Sequence, residues 1–192
     1  MSDGPSSNGP IDLIIEEPAW TDVLPGIEAL PGIQVAADTA ARLALEAADL
    51  EPGHWTISLL ACDDARIAGL NRKFRGKSTP TNVLSWPAFD LAPKHPGAHP
   101  APPPQGISGP PQHLGDVAIA LQTTRREAED NATPLKDHVI HLILHGCLHL
   151  LGFDHETDED AETMERIETR ALARIGVNDP YLRGDAGQPH PN

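Results

Sequence analysis

The stretch HGCLHLLGFDH, residues 145–155, places three histidines at the spacing of a metal site. Residues four apart share one face of an α-helix, about 6 Å apart along its axis, so His145 and His149 can converge on one ion. Gly152 can adopt the left-handed conformation that ends a helix and turns the chain, which would bring His155 to the same ion. Three protein nitrogens leave a fourth tetrahedral position open, as in catalytic zinc sites. The stretch therefore predicts one catalytic Zn²⁺ per chain.

The apolar residues around these histidines favour a buried helix, and this leaves a simpler interpretation open. A single histidine on an apolar helix is more often a core residue satisfied by one hydrogen bond than a ligand. Three histidines at these offsets, with a glycine at the turn, are more specific and favour the metal. His141 does not extend the set, because it lies eight residues from His149, about 12 Å along the axis. Cys147 projects from the opposite side of the helix and is expected to pack rather than bind metal.

Charge is distributed unevenly along the 192 residues, which carry 14 Lys and Arg against 28 Asp and Glu. The net charge of −14 argues against nonspecific binding of nucleic acid by the whole surface, and no DNA partner is expected. A basic run at residues 66–77 is compatible with a solvated helix face or a phosphate site. The acidic run after the histidines is interpreted as a solvated face and comprises Asp154, Glu156, Asp158, Glu159, Asp160, Glu162, Glu165 and Glu168.

The two cysteines, Cys62 and Cys147, fall in a strand-like and a helical segment, so no disulfide framework is expected. This usage fits a reducing cytoplasm. The apolar stretch near the start is short and interrupted by Asp12, which does not fit a signal peptide. No run approaches the roughly 18 apolar residues of a membrane span, so no membrane partner is expected.

Mixed strand and helix signals predict one α+β domain with a small mixed β-sheet, spanning residues 11–176 between disordered tails at 1–10 and 177–192. A proline-rich insertion at 90–113 is expected to be a flexible or polyproline excursion with no core to join. The last two predicted strands are expected to be neighbours in the sheet. The predicted strands are residues 11–16, 55–61, 81–86 and 114–120.

Helix signals are clearest at capping residues. Asp63 is a suitable N-cap for a helix that Gly76 could end. Thr133 as N-cap and Pro134 at the first helical position would open the histidine helix, which should end at Gly152. Two further helices are expected at residues 35–49 and 121–131. An apolar stripe at helical spacing indicates a last helix and comprises Met164, Ile167, Ala171 and Ile175.

The spacing HxxxHxxGxxH also occurs in metzincin proteases, so peptide hydrolysis is the first rival function. Those enzymes use a glutamate directly after the first histidine as general base for the zinc-bound water. Gly146 occupies that position here. A protease would therefore lack its proton acceptor, and another group must provide the nucleophile.

Three blocks of the sequence together resemble the YbeY family of bacterial zinc-dependent endoribonucleases. They are HGCLHLLGFDH, LNRKFRGKSTPTNVLSWP at residues 70–87 and LGDVAIA at 114–120, in the family's order. The resemblance covers roughly residues 11–176. It implies a zincin-like α+β fold with the metal site on a central helix and the following turn. It also implies zinc held by the three histidines and an arginine, matching Arg75, that is important for activity.

The resemblance further implies a single-strand-specific endoribonuclease acting in small-subunit rRNA 3′-end maturation and ribosome quality control. Ribosomal RNA and small-subunit assembly proteins are the partners it implies. A noncatalytic assembly factor that docks on the ribosome remains an alternative. The basic block departs from the family's usual KD and TDVLSF pattern, with Ser78, Asn82 and Trp86 at the differing positions. Any role that requires a carboxylate there is therefore in doubt.

The expected mechanism combines zinc, which acidifies its bound water and polarises a phosphoryl oxygen, with Arg75, which offsets charge developing on the phosphate. A guanidinium fork suits a phosphodiester, and Lys73 is expected to add positive field. Asp154 is a candidate for orienting a ligand imidazole. Ser85 and Asp116 are candidates for the pocket wall, although backbone hydrogen bonds at strand ends are an equally good interpretation.

Overall fold

A four-stranded mixed sheet forms the centre of the computed structural model, which describes residues 9–24, 26, 31–104 and 109–182. The strand order is β1-β2-β4-β3. β1 and β2 are parallel, β2 and β4 are parallel, and β3 is antiparallel to β4. The predicted α+β class and the predicted pairing of the last two strands are therefore confirmed. The strands are β1 (Ile11–Ile15), β2 (Trp55–Cys62), β3 (Val83–Pro87) and β4 (Gln112–Ala120).

Six helices surround the sheet in the described part of the chain. They are α1 (Trp20–Val23), α2 (Gly32–Ala47), α3 (Asp64–Arg75), α4 (Leu121–Asp130), α5 (Leu135–Leu150) and α6 (Asp158–Ala173). The main core lies between one face of the sheet and the helices α2 and α5. A smaller cluster on the other face packs α3 against β2, β3 and β4 through Cys62, Ile67, Leu84, Ala118 and Ala120. The central helix α5, which carries the histidines, therefore packs on the face of the sheet that the main core covers.

The caps of α3 match the prediction, but the start of α5 does not. Asp63 accepts a hydrogen bond from the Arg66 backbone at 2.7 Å, and Gly76 ends the helix with φ of 69°. Thr133 was a wrong N-cap, because Pro134 takes the N-cap position and the Thr133 hydroxyl donates to the Asn131 carbonyl at 3.4 Å instead of accepting from the helix. The helix α5 begins one residue after Pro134 and ends at Leu150, two residues before the predicted Gly152.

Part of the proline-rich insertion packs on the domain. Leu91 is 6% exposed, and Pro103 is also buried. The Gly97 backbone N–H donates to Asp160 at the start of α6, at 2.7 Å. The expectation that this segment joins no core is therefore wrong for Leu91 and Pro103, because both apolar side chains are buried. Residues 105–108 lie outside the described residues.

The ends of the domain extend slightly beyond the predicted bounds. Residues 1–8 and 183–192 of the predicted tails lie outside the described residues. Residues 177–182 are described, and Val177 packs against the core. Ile175 is 40% exposed, so its assignment to the apolar stripe is wrong, because α6 ends two residues earlier. Among the described helices, none is both long and apolar enough to cross a membrane.

Candidate metal centre

His145, His149 and His155 converge as the sequence predicted from their spacing. One ring nitrogen from each lies within 4.8 Å of those of the other two. The Nε2 atoms of His145 and His149 are 3.1 Å apart, and the ring of His155 lies 5.4 Å and 5.1 Å from theirs, centroid to centroid. His155 is exposed, while the other two are partly buried. The three rings therefore form one group with an outward-facing member.

The Nδ1 atom of His145 is held by a buried carboxylate. Glu168, on α6, has 0% of its surface exposed, and its Oε1 lies 2.8 Å from His145 Nδ1. Its Oε2 contacts His141 Nε2 at 3.2 Å and accepts a hydrogen bond from the Tyr181 hydroxyl. Burial acts to raise the pKa of Glu168, but hydrogen bonds from His141 and His145 outweigh it and lower the pKa to about 2. Glu168 is therefore ionised and accepts a hydrogen bond from the protonated Nδ1 of His145.

The Nδ1 atom of His149 is held by the backbone. It donates to the carbonyl oxygen of Phe153 at 2.9 Å, which fixes the tautomer with its proton on Nδ1. Burial, and after it the neighbouring charges of His145 and His155, together lower the pKa of His149 to about 4. The imidazole is therefore neutral at neutral pH, which is the form that binds metal.

The donor set fits a divalent metal ion. Because both Nδ1 atoms carry protons, the Nε2 atoms of His145 and His149 face each other as lone pairs 3.1 Å apart. Two such acceptors repel unless a proton or a cation lies between them. Nitrogen ligands at about 2.05 Å from a tetrahedral zinc are separated by about 3.3 Å, which is close to the observed spacing. The three histidines could therefore hold one zinc ion and leave a fourth position for a substrate or water.

Two glycines allow this arrangement. Gly152 has φ of 89°, and a Cβ there would lie 2.7 Å from the Leu91 carbonyl oxygen, so a glycine is required where the chain turns toward His155. Gly146 lies on the side of α5 that faces the sheet, where a Cβ would lie 3.0 Å from Val117 and 3.1 Å from the Ser85 hydroxyl. A glutamate at this position, as in metzincins, would have no room.

Asp154 and Ser85, two other predicted site residues, form hydrogen bonds with the backbone close to the histidines. Asp154 Oδ1 accepts from the His155 backbone N–H at 2.8 Å and lies 3.9 Å from His149 Nδ1, farther than the Phe153 carbonyl. The Ser85 hydroxyl donates to the Gly146 carbonyl at 3.1 Å, beside the metal-site helix. It thus makes the backbone hydrogen bond that was the alternative interpretation.

The remaining candidates belong to the opposite side of the sheet. Asp116 lines a cavity with residues of α3 and lies 3.3 Å from His113. Lys73 and Arg75 are exposed in the last turn of α3, and the Lys73 ammonium lies 5.1 Å from the centre of the Phe74 ring. Among the described residues, neither cation makes a direct contact with the histidines. The roles of Lys73 and Arg75 therefore stay predictions.

Sequence reasoning missed two groups that hold the histidines. Glu168 was assigned to the solvated acidic face, which is wrong because its side chain is fully buried. A signal was present, since Glu168 stands four residues after the buried Met164 and four before the buried Leu172, on the apolar stripe of α6. A carboxylate in an apolar stripe needs a partner. The Phe153 carbonyl left no such signal, because every residue has a backbone carbonyl.

The fold and the histidine group together define a small α+β protein with a group of three histidines that could hold a metal ion. The model of the family Endoribonuclease YbeY matches residues 31–176. Endoribonuclease YbeY of Jannaschia sp. is 54% identical over 171 residues, covering 89% of this chain and 99% of that protein. That of Ruegeria pomeroyi is 50% identical over 171 residues, covering 89% and 97%.

The chain belongs to the YbeY family of endoribonucleases, hydrolytic enzymes that cleave RNA. The resemblance inferred from the three sequence blocks is therefore confirmed. A solution structure of a protein from Thermotoga maritima covers 93% of this chain and 99% of that chain, with 16% identity and a TM-score of 0.49.

Proposed function

We propose that this chain is a zinc-dependent, single-strand-specific endoribonuclease acting in small-subunit rRNA 3′-end maturation and ribosome quality control. Membership in the YbeY family supports the reaction class. The metal dependence rests on one observation. The Nε2 atoms of His145 and His149 lie 3.1 Å apart with their lone pairs facing each other, because the proton of each ring is on Nδ1 and is hydrogen-bonded there. Zinc is the proposed ion because three imidazoles with an open position are its typical catalytic donor set.

The protein residues give the proposed site its orientation and charge. Glu168 and the Phe153 carbonyl keep the protons of His145 and His149 on Nδ1. Each Nε2 therefore points into the site with a free lone pair that can bind a metal ion. Such partners fix ring orientation and raise ligand basicity. When bound, zinc supplies Lewis acidity that polarises a phosphoryl oxygen and lowers the pKa of water at the open position.

Arg75 is the proposed phosphate-contacting residue. It is the last residue of α3 and is exposed, so its guanidinium is accessible to a phosphodiester. A guanidinium can donate two parallel hydrogen bonds to phosphate oxygens and balance the charge that develops on them. Lys73, also exposed, adds positive field nearby. The proposed partners are ribosomal RNA and small-subunit assembly proteins, and the proposed compartment is the cytoplasm, where the two unpaired thiols would stay reduced.

Two observations argue against the alternative functions. The tight packing of Gly146 against Val117 and Ser85 leaves no space for the general base of a metzincin protease. A noncatalytic docking module does not need the open coordination position that a set of three histidine ligands would leave.

The test combines metal content with RNA cleavage. Purified protein should contain about one zinc per chain by elemental analysis. It should cleave a single-stranded rRNA fragment containing the 3′ end of the small-subunit RNA, and a duplex of the same sequence much less. Chelation should abolish cleavage and zinc addition should restore it, while unfolded casein stays intact in parallel. Cleavage that survives complete loss of metal, or digestion of casein without RNA, would refute the proposal.

A further inference from the structure

A second candidate site lies on the face of the sheet opposite the histidines. A cavity of about 440 Å³ opens between α3 and the part of the sheet that this helix does not cover. Its volume falls within the range of about 300–1,000 Å³ for small-ligand sites. The floor includes Leu60 and Ala118, one wall is formed by Phe74 and Trp86, and Asp116 stands at its polar rim. We call this cavity the α3 slot.

The aromatic wall of the α3 slot is exposed in a way the core does not explain. Phe74 is 54% exposed, and its ring meets the edge of Trp86 with centroids 5.4 Å apart. At the far side of the slot Ile14 is 58% exposed. Contiguous exposed apolar side chains rimmed by polar groups mark binding surfaces. The slot therefore has the composition of a site for a flat apolar ring with polar edges.

The charge beside the slot favours RNA as the occupant. The last turn of α3 and the residues just after it present Arg72, Lys73, Arg75 and Lys77, all exposed, in a chain whose net charge is −14. The Lys73 ammonium lies 5.1 Å from the centroid of the Phe74 ring, so positive charge stands directly beside the aromatic wall. Proteins that bind single strands combine cationic tracks for the backbone with aromatic rings for the bases.

One strand links the α3 slot to the metal site. Strand β3 lies at an edge of the sheet, and consecutive side chains of a strand point to opposite faces. Ser85 donates to the Gly146 carbonyl of the histidine helix, whereas its neighbour Trp86 faces the slot. A single RNA strand that crosses the edge of β3 would reach both sites with nucleotides a few positions apart.

We propose that the α3 slot binds one unpaired nucleobase of the RNA, a few nucleotides from the cleaved bond, by stacking on Phe74 and Trp86. The proposal rests on the endoribonuclease function. The Asp116 carboxylate accepts a hydrogen bond from an exocyclic amino group, so cytosine is preferred over uracil at that position. Arg66, which also lines the slot, is paired with Glu16 at 2.9 Å, and the proposal assigns it no phosphate contact.

The experiment uses zinc-loaded full-length protein and a short single-stranded RNA in which one abasic nucleotide is moved through the sequence. Cleavage gives KM and kcat, and fluorescence anisotropy on a 2′-O-methyl version that resists cleavage gives Kd. For the unaltered protein, one position should show a rise in KM and Kd of about fivefold to 100-fold. Phe74→Ala should raise KM and Kd to the same extent with the intact RNA, with kcat within about twofold, because the contact lies away from the reacting phosphate.

The decisive experiment combines the Phe74→Ala variant with the abasic RNA. In Phe74→Ala the abasic substitution at that position should cost nothing further, because the stacking partner is already gone. Asp116→Asn should reduce the preference for cytosine over uracil there, because an amide both donates and accepts. Ile175→Ala, an exposed apolar residue at the end of α6, is the matched control and should match the unaltered protein. Zinc content and thermal unfolding confirm that each variant is folded.

Other outcomes assign the slot differently. Unchanged KM and Kd in Phe74→Ala, or abasic penalties equal in variant and unaltered protein, would overturn the nucleobase site. If in addition Phe74→Ala abolished a self-association of the chain seen by sedimentation, the slot would belong to a second copy. Failure of the unaltered protein to cleave any RNA would refute the proposed function, whereas the anisotropy measurements would still decide for or against base binding.

Discussion

The two faces of the sheet hold their polar residues in opposite ways. On the α5 face, Glu168 is fully buried and has His141, His145 and Tyr181 as partners. On the α3 face, Arg75 and Phe74 are exposed at the end of a helix. Geometry on the first face is fixed by buried contacts, whereas the second presents side chains to solvent. Substitutions of the buried groups on the α5 face should therefore affect metal binding and stability, and those of the exposed side chains at the end of α3 should affect RNA alone.

The largest effect is expected at the metal ligands. His149→Ala removes one of the two facing Nε2 atoms, and it should abolish zinc binding and RNA cleavage together. Elemental analysis and the rRNA cleavage assay measure the two losses. His95→Ala, in the loop of the proline-rich insertion, is the matched control and should keep both. Stoichiometric zinc in a folded His149→Ala protein would show that the ligand assignment is wrong.

Arg75→Ala should give the clearest contrast between the faces. Loss of a charge-stabilising donor typically costs about 100- to 1,000-fold in rate, so cleavage should fall by that order. Zinc content and unfolding temperature should not change, because Arg75 is exposed at the helix end. Lysine at this position should restore only part of the rate, since it lacks the planar fork. Normal cleavage by Arg75→Ala would instead support a docking role for the chain.

Glu168→Gln tests whether the buried carboxylate positions His145. The amide keeps the size but removes the negative charge that accepts from Nδ1, so zinc affinity should fall by about 10- to 100-fold. Competition with a chromogenic chelator measures this affinity without reference to activity. Glu165→Gln, exposed on the same helix, is the control and should bind zinc as the unaltered protein does. Equal affinities for the two variants would mean that Glu168 has only a structural role.

Features set by local chemistry were predictable from the sequence. The N-cap at Asp63 and the left-handed Gly76 follow from the properties of those residues, and both are present. The convergence of His145 and His149 follows from helical periodicity, which depends on the chain alone. These features need no knowledge of what packs against the helix.

Features set by tertiary contacts were not predictable in this way. Glu168 has acidic neighbours in sequence that are exposed, and only the packing of α6 on α5 distinguishes it from them. Asp116 lies on a strand whose alternate residues face different helices, so its assignment to the slot required the position of α3. Thr133 was misassigned because its hydroxyl donates to the Asn131 carbonyl in the turn after α4, and α5 starts one residue later than Pro134. For Glu168 and Asp116 the deciding partner is distant in sequence, whereas for Thr133 it is the geometry of the turn between two helices.

The smallest predicted effect compares one glycine in each of two helices. In α3, Gly69 has no atom within 4 Å of a built Cβ, whereas in α5 a Cβ at Gly146 would press on Val117 and Ser85 at 3.0 and 3.1 Å. Alanine favours a helix over glycine by about 1 kcal/mol, so Gly69→Ala should raise the free energy of unfolding by about that amount. For Gly146→Ala, crowding should outweigh this gain and give a net loss of about 1 kcal/mol.

The two variants should therefore shift the unfolding temperature in opposite directions, by about 2–4 °C each for a chain of this size. Differential scanning calorimetry on the zinc-loaded proteins measures both shifts under one condition. Because the side chain of Ser85 bonds the Gly146 carbonyl, Gly146→Ala should also displace β3, the strand shared by the two faces. A rise in stability for both variants would show that α5 can accommodate a Cβ at Gly146 without crowding against the sheet. The contrast between a tightly packed α5 face and an exposed α3 face would then be wrong.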